Sequence, residues 1–121
     1  MNLENFYEYC LSKKGVTEHF PFDNDALVFK VGGKIFALTS LEKWELGSPG
    51  INLKCDPDRA LELRAEYESI NSGFHMNKKH WNTVLVNLEV SDALVSELID
   101  HSYALVYNSL TKKIQEEISK L

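Results

Sequence analysis

Hydrophobic residues recur at helical spacing at the start of the chain and at strand spacing soon after it. The first stripe follows the i, i+3, i+4, i+7, i+8 pattern and comprises Leu3, Phe6, Tyr7, Cys10 and Leu11. Asn2 is a good N-cap before this stripe and Gly15 is a good stop after it. The pattern therefore predicts an amphipathic helix between these two residues.

Two β-rich runs, residues 26–31 and 34–39, are joined by the pair Gly32-Gly33. Two glycines between such runs are typical of a tight hairpin turn, so we expect an antiparallel hairpin here. A regular ladder that starts from this turn pairs Phe29 with Phe36 and directs that pair against helices.

The next segments mix loop, strand and helix signals. Residues 40–50 combine charged residues with Gly47, Pro49 and Gly50, which is typical of an irregular loop. Residues 51–55 alternate apolar and polar side chains, as in a half-buried strand. Four elements follow: a helix opened by Asp56-Pro57 with Ala60, Leu63 and Tyr67 in the core, a strand within residues 81–88, a long helix capped by Ser91, and a last helix after Thr111.

This order of elements predicts one α+β domain that covers residues 1–121. Hairpin-connected strands followed by helices describe a two-layer sandwich, in which an antiparallel sheet carries helices on one face and leaves the other face largely open. A chain of 121 residues is long enough to bury one hydrophobic core and too short for a second domain.

Charge narrows the range of partners. The formal net charge is −5 at pH 7, so the whole-molecule field repels polyanions and nucleic-acid contact requires a local basic patch. The apolar runs are far shorter than the roughly 20 residues that span a bilayer, and the polar, acidic start of the chain does not resemble a signal peptide. We therefore expect a cytoplasmic protein with no membrane partner.

Residues 71–81 provide such a patch, because they include Lys78 and Lys79 and no acidic residue. The lysines supply ammonium groups for phosphates, neighbouring Asn and His side chains supply hydrogen bonds, and Trp81 has a face on which a base can stack. The alternative interpretation is a structural loop, in which the tryptophan packs inward and the lysines are only solvated.

The sequence predicts no catalytic residue, no metal site and no cofactor, and hence a protein that is not an enzyme. It lacks the G-x-S-x-G, H-E-x-x-H and G-x-x-x-x-G-K-[ST] motifs of nucleophilic, zinc-dependent and phosphate-binding enzymes. His75 and His80 are five residues apart, which suits neither one face of a helix nor one face of a strand. A zinc site is therefore not expected at these histidines.

Three small side chains fall on apolar stripes. The hydroxyl of Ser102 is expected to bond back to a carbonyl one turn earlier in its own helix. Cys10 and Cys55 are expected to be buried, reduced thiols, because unpaired cysteine is among the most buried residue types. A disulfide or a reactive thiol is the alternative for this pair.

Three strings resemble the MmcQ/YjbR family: residues 73–81 (GFHMNKKHW), residues 102–106 (SYALV) and residues 110–113 (LTKK). The likeness extends over essentially the whole chain. It implies a fold similar to frataxin (CyaY-like) and to type III secretion chaperones, in the order α-β3-α-β2-α. It also implies DNA binding through a double wing of hairpins, one of which would be the hairpin at residues 30–34.

The leading hypothesis is weak, mainly electrostatic DNA binding through a local basic and aromatic patch. The predicted contact residues are Lys30, Lys34, Lys54, Asn77, Lys78, Lys79, His80 and Trp81. The alternative is a non-enzymatic protein-interaction or chaperone-like module, in which the open sheet face docks a peptide or a second copy of the chain.

Overall fold

The computed structural model describes residues 1–73 and 76–121. The helices in these residues are α1 (Leu3–Leu11), α2 (Leu41–Glu45), α3 (Pro57–Glu66), α4 (Asp92–Ser109) and α5 (Lys112–Ser119). The strands are β1 (Val16–His19), β2 (Ala26–Val31), β3 (Lys34–Ser40), β4 (Gly50–Lys54), β5 (Ile70–Ser72) and β6 (Trp81–Leu85). All neighbouring strands pair antiparallel, in the order β1-β2-β3-β4-β6-β5.

The helices begin where the capping residues predict. Asn2, Ser91 and Thr111 each accept a hydrogen bond through the side chain from the backbone N–H three residues later. Asp56 does the same in front of Pro57, the first residue of α3. Each cap satisfies a backbone donor that the first turn of a helix leaves without a partner, which explains why these helix starts were readable from the sequence.

The helix layer covers one face of the sheet. Phe29, Ala37, Leu53 and Asn82 lie directly opposite one another in successive strands, so their side chains share that face. Phe6 of α1 makes an edge-to-face contact with Phe29, the Asn82 amide bonds to α3, and α4 packs across β2, β3 and β4. The predicted α+β architecture with helices on one face of an antiparallel sheet is confirmed.

The hairpin between β2 and β3 contains a bulge that the sequence did not reveal. Gly32 and Gly33 both have positive φ, 58° and 82°, as a tight hairpin turn with two left-handed residues requires. The predicted pairing of Phe29 with Phe36 is wrong, because the register shifts and Phe29 pairs with Ala37. The extra residue allows both Phe36 and Ala37 to join the core.

Ser102 of α4 repairs the hydrogen-bond ladder at this bulge. Its buried hydroxyl donates to the carbonyl of Phe36 at 2.6 Å and accepts from the N–H of Lys54 at 2.9 Å. The predicted bond to a carbonyl one turn earlier in α4 is therefore wrong. One side chain instead joins α4 to both β3 and β4, just beyond the last directly paired residues, Ala37 and Leu53.

Short elements account for the other differences from the predicted pattern. The strands β1 and β5 were not predicted, and they have only four and three residues. Part of the expected loop at residues 40–50 is α2, which Ser40 caps. Tyr67, expected inside α3, follows its end in an extended conformation. As a result, four strands rather than three precede α3.

Both cysteines are free and buried, as expected. Burial raises the pKa of Cys10 to about 12, and it also raises the pKa of Cys55. The two thiols are therefore protonated near neutral pH, which makes them poor nucleophiles. No helix in the described part of the chain combines the length and the apolar character needed to cross a membrane.

Candidate nucleic-acid interface

The open face of the sheet consists of the strand positions that alternate with the core positions. Thr17, Lys30 and Ile35 lie opposite one another across β1, β2 and β3. At the same end of the sheet, Lys54 of β4 lies directly opposite Trp81 of β6. This end, which carries Lys30, Lys54 and Trp81 beside the hairpin turn, is called the basic end below.

The open face holds no aspartate or glutamate at any position of the six described strands. Its residues are Thr17, His19, Ala26, Val28, Lys30, Ile35, Leu38, Ser40, Gly50, Asn52, Lys54, Asn71, Trp81, Thr83 and Leu85. The whole chain has 18 acidic residues and 13 Lys and Arg residues. The open face is thus positive at one end in a molecule that is negative overall.

Carboxylates lie at the other end of this face, where β2 begins and β3 ends. Asp25 accepts hydrogen bonds from the Ser40 hydroxyl and from the N–H of Glu42, both at 2.6 Å. These bonds, with that of Ser40 the stronger cause, lower the pKa of Asp25. Asp23 accepts from the backbone N–H groups of Asp25 and Ala26 at the same end. Charge therefore changes sign along the strands.

Trp81 is half-buried on the open face. Its neighbour Asn82 faces the helix layer, so the indole of Trp81 projects to the opposite side. The Trp81 backbone is held on both sides, because its N–H donates to Asn77 and its carbonyl accepts from Gly73. The indole is therefore neither sealed in the core nor fully exposed, and it stands across from the ammonium-bearing side chain of Lys54.

The turn before β6 continues the basic end. The side chains of Lys78 and Lys79 are exposed, and His80 is half-buried. Asn77 shapes the turn: its side-chain oxygen accepts from the N–H of Lys79 at 2.9 Å, and its carbonyl accepts from the N–H groups of His80 and Trp81. The carbonyl of His80 in turn accepts from Cys55 at 2.7 Å.

Arg64 of α3 anchors this turn, and sequence reasoning gave it no role. Its Nε donates to the side-chain oxygen of Asn82 at 2.6 Å, and its Nη2 donates to the carbonyl of Trp81 at 3.2 Å and to the carbonyl of Lys78. One half-buried guanidinium thus ties the basic turn to the start of β6. A single arginine in a charged helix carries no motif that would have disclosed this contact.

Lys34 lies apart from the other predicted contact residues. It pairs with Val31, whose side chain is in the core, so Lys34 projects on the helix side of the hairpin. The turn itself rests on the helix layer, because a Cβ added to Gly32 would lie 2.5 Å from a methyl carbon of Leu110. The structure therefore brings Lys30, Lys54 and Trp81 together with the turn at residues 77–80, and leaves Lys34 on the other side.

The family motif at residues 73–81 is only partly covered by these observations. Phe74 and His75 lie outside the described residues, and so does the zinc pair of His75 with His80 that the sequence spacing disfavoured. Within residues 1–73 and 76–121, no group of three His, Cys, Asp or Glu side chains is placed to hold a metal ion.

Comparison with protein families gives one match that covers most of the chain. The family model YjbR matches residues 11–105. The chain belongs to the YjbR family. The uncharacterized protein YbdF of Escherichia coli O157:H7 is 46% identical over 99 residues, which is 82% of this chain and 79% of YbdF. The uncharacterized YjbR of Escherichia coli K12 is 28% identical over 121 residues and covers 100% of both chains.

Solved structures of similar proteins agree with the YjbR fold described above. A Deinococcus radiodurans protein, DR2400, with a DUF419 domain, superposes with a TM-score of 0.89 at 36% identity, covering 98% of this chain and 88% of that one. A Pseudomonas syringae protein gives a TM-score of 0.75 at 29% identity, covering 88% of this chain and 99% of its own. The family resemblance inferred from the sequence is thereby confirmed.

Proposed function

We propose that this YjbR domain binds nucleic acid at the basic end of its open sheet face. The proposal is carried by the charge of that face: its strand positions include Lys30 and Lys54 and no acid, in a chain with a net charge of −5. Lys78 and Lys79 add two exposed ammonium groups at the same end. Flexible lysines contact phosphates without reading sequence, so the binding is weak and mainly electrostatic.

The salt dependence of the affinity follows from the number of lysines that reach phosphates. If three of them do so, the logarithm of the association constant falls with the logarithm of salt concentration at a slope of about −2.7 for duplex DNA and about −2.1 for a single strand. The overall negative charge weakens binding further at low salt, where repulsion is poorly screened.

Charge reversal at the open face tests the proposal. The double variant Lys30→Glu, Lys54→Glu should abolish the salt-dependent anisotropy change of short labelled DNA. The matched control is Lys112→Glu, Lys113→Glu, which alters the net charge by the same amount at exposed positions of α5, in the helix layer. An open-face variant that binds like the wild type, or a control that loses binding equally, would reject this surface.

A second candidate function, protein interaction, is favoured by a different region. Phe20 and Phe22, which follow the edge strand β1, are 46% and 73% exposed. Phe20 lines a groove of about 450 Å³ whose apolar lining also includes Leu3 and Leu27. Large exposed aromatic side chains next to an unpaired strand edge are typical of docking surfaces.

Sedimentation velocity over a range of concentrations tests whether this region joins two copies of the chain. Self-association by the wild type that Phe22→Ser removes would support the protein-interaction function. A monomer at every concentration would reject self-association through these phenylalanines.

A further inference from the structure

We infer that the nucleic acid taken by the basic end is single-stranded and that one of its bases stacks on Trp81. This inference rests on the proposed function and names its substrate class. It follows from three features of residues 1–73 and 76–121: the helices α1, α3 and α4 pack on the other face of the sheet, the turn of the candidate wing is packed against helices, and the aromatic and cationic side chains of the basic end form one row.

A six-stranded sheet face is too broad to enter a duplex groove. Sequence in duplex DNA is read mainly in the major groove, which admits an α-helix or a two-stranded ribbon. The helices α1, α3 and α4 pack on the covered face of the sheet, on the side away from Lys30 and Lys54. Among the described elements, a hairpin that extends beyond the sheet would be needed to carry the basic end into a groove.

The β2–β3 hairpin does not extend in this way. Its turn lies on the junction of α4 and α5: a Cβ at Gly32 would be 2.5 Å from Leu110 and 3.3 Å from Ile114. The described part of the connection between β5 and β6 is also anchored, because Arg64 donates to the carbonyls of Lys78 and Trp81. A duplex can therefore contact the lysines through its phosphates alone, whereas only a ligand with unstacked bases can present a base to the indole of Trp81.

The side chains at the basic end suit such a ligand. Trp81 and Lys54 are on adjacent strands, and Lys30 is three strand spacings from Trp81, or about 14 Å. A single strand that crosses the sheet along this line can stack a base on the indole and pass its phosphates near the ammonium groups. Stacking on an aromatic side chain in a positive groove is how single strands are bound without sequence preference.

The charge gradient along the strands limits the path of the ligand. A strand that ran from the basic end towards Asp25 would bring phosphates to an ionised carboxylate. Crossing the sheet at the basic end avoids this repulsion. The site is therefore short, and we expect it near the lower end of the roughly 4–16 nucleotides that one small β-barrel domain covers.

Tryptophan fluorescence offers a direct test, because the chain has two tryptophans and the one outside the candidate site, Trp44, can be replaced. Trp44 packs on Phe6 in the helix layer, so Trp44→Phe keeps an aromatic ring there. In this background, a short oligothymidylate should quench Trp81 fluorescence on binding. A duplex of the same length should bind about tenfold more weakly and cause little quenching, because its bases stay stacked.

Substitution of the indole separates stacking from charge. Trp81→Leu should weaken oligothymidylate binding by about 5- to 150-fold, the range for loss of one base–aromatic stack, and should leave duplex binding unchanged. Trp81→Phe keeps a ring at this position and should retain most of the affinity, which guards against a variant that fails to fold.

The outcomes distinguish this inference from the proposed function. If the duplex binds as tightly as oligothymidylate or more tightly, and Trp81 fluorescence in the Trp44→Phe protein is not quenched, the single-strand inference is overturned and nucleic-acid binding is left intact. Absence of binding to both probes at low salt would overturn both. Quenching by oligothymidylate that Lys30→Glu, Lys54→Glu abolishes would support both.

Discussion

The buried polar side chains of the covered face and the lysines of the open face serve different purposes. On the covered face, Ser102 and Asn82 are buried and each bonds to backbone groups of a neighbouring element. On the open face, Lys30 and Lys54 are partly exposed and project from strands whose other face is core. The buried polar groups of the covered face join elements together, whereas the lysines of the open face extend towards solvent.

This difference shows which constraints act on each face. A buried hydroxyl or amide costs free energy unless it is paired, so the polar residues of the covered face are tied to the geometry of the fold. A partly exposed lysine carries no such requirement. Most open-face positions are at least half-buried, and Val28 is fully buried, so folding itself disfavours carboxylates there. The presence of Lys30 and Lys54 on such a face is what supports a functional interpretation.

The largest difference in stability is expected when one isoleucine on each face is replaced by alanine. Ile51 of β4 is fully buried under the helices, and Ile35 of β3 is half-buried on the open face. Ile51→Ala should lower the free energy of unfolding by about 2–5 kcal/mol. Ile35→Ala should lower it by less than about 1.5 kcal/mol, since less apolar surface is lost. Urea denaturation measures both, and equal losses would mean that the open face is covered in solution.

A smaller contrast is expected at the hairpin turn, where Gly32 meets the helix layer and Gly33 meets solvent. Both have positive φ, so replacing either glycine by alanine should destabilise the protein by about 1 kcal/mol through backbone strain. Only at Gly32 does the added Cβ also collide with Leu110, which should cost about 1–3 kcal/mol more. Gly33→Ala is thus the matched control in thermal unfolding. Equal destabilisation would show that the hairpin turn stands free of the helices.

The next difference in stability is expected between two serines of α4, of which only Ser102 bridges two strands. Ser102→Ala leaves the carbonyl of Phe36 and the N–H of Lys54 without their partner and should cost about 1–3 kcal/mol. Ser109 in the same helix bonds only to a carbonyl three residues earlier and is exposed, so Ser109→Ala should cost less than about 0.5 kcal/mol. Hydrogen exchange at the N–H of Lys54 should rise in the first variant alone.

The starts of the helices α1, α3, α4 and α5 and the β2–β3 hairpin were predictable because the signals that set them are local. Caps such as Ser91 and Thr111 act within three residues, and the glycine pair of the hairpin needs only its own φ angles. The bulge was not predictable, because the sequence of β3 reads equally well in a regular register. It is stabilised by Ser102, which is 66 residues away from Phe36 along the chain.

The candidate site likewise has residues that the sequence predicted and residues that it did not. The basic string and Trp81 stood out by composition, and the structure brings them together with Lys30 and Lys54. Lys34 was grouped with them only because it is next to the same turn, although its regular pairing with Val31, on the turn side of the bulge, places it on the helix side. Arg64 was missed because its role depends on carbonyl groups of residues 78 and 81, which no pattern of side chains reports.

The smallest effect is expected from protonation of His101 in the helix layer. Its Nε2 accepts a hydrogen bond from the N–H of Asp56 at 3.1 Å, which requires the neutral ring. Burial, with a smaller contribution from the charge of Arg59, lowers the pKa of His101 below its usual value of 6.5. Asp56 and Glu97 oppose that shift without reversing it.

The sign of the resulting pH dependence follows from proton uptake. Below about pH 6.5 the unfolded chain binds the proton at His101 before the folded chain does, so stability is complete above this pH and falls as pH decreases. His101→Gln can still accept from Asp56 and does not titrate. Its free energy of unfolding should therefore decline less than that of the wild type between neutral pH and about pH 5. Parallel pH profiles for the two proteins would show that His101 does not couple the helix layer to pH.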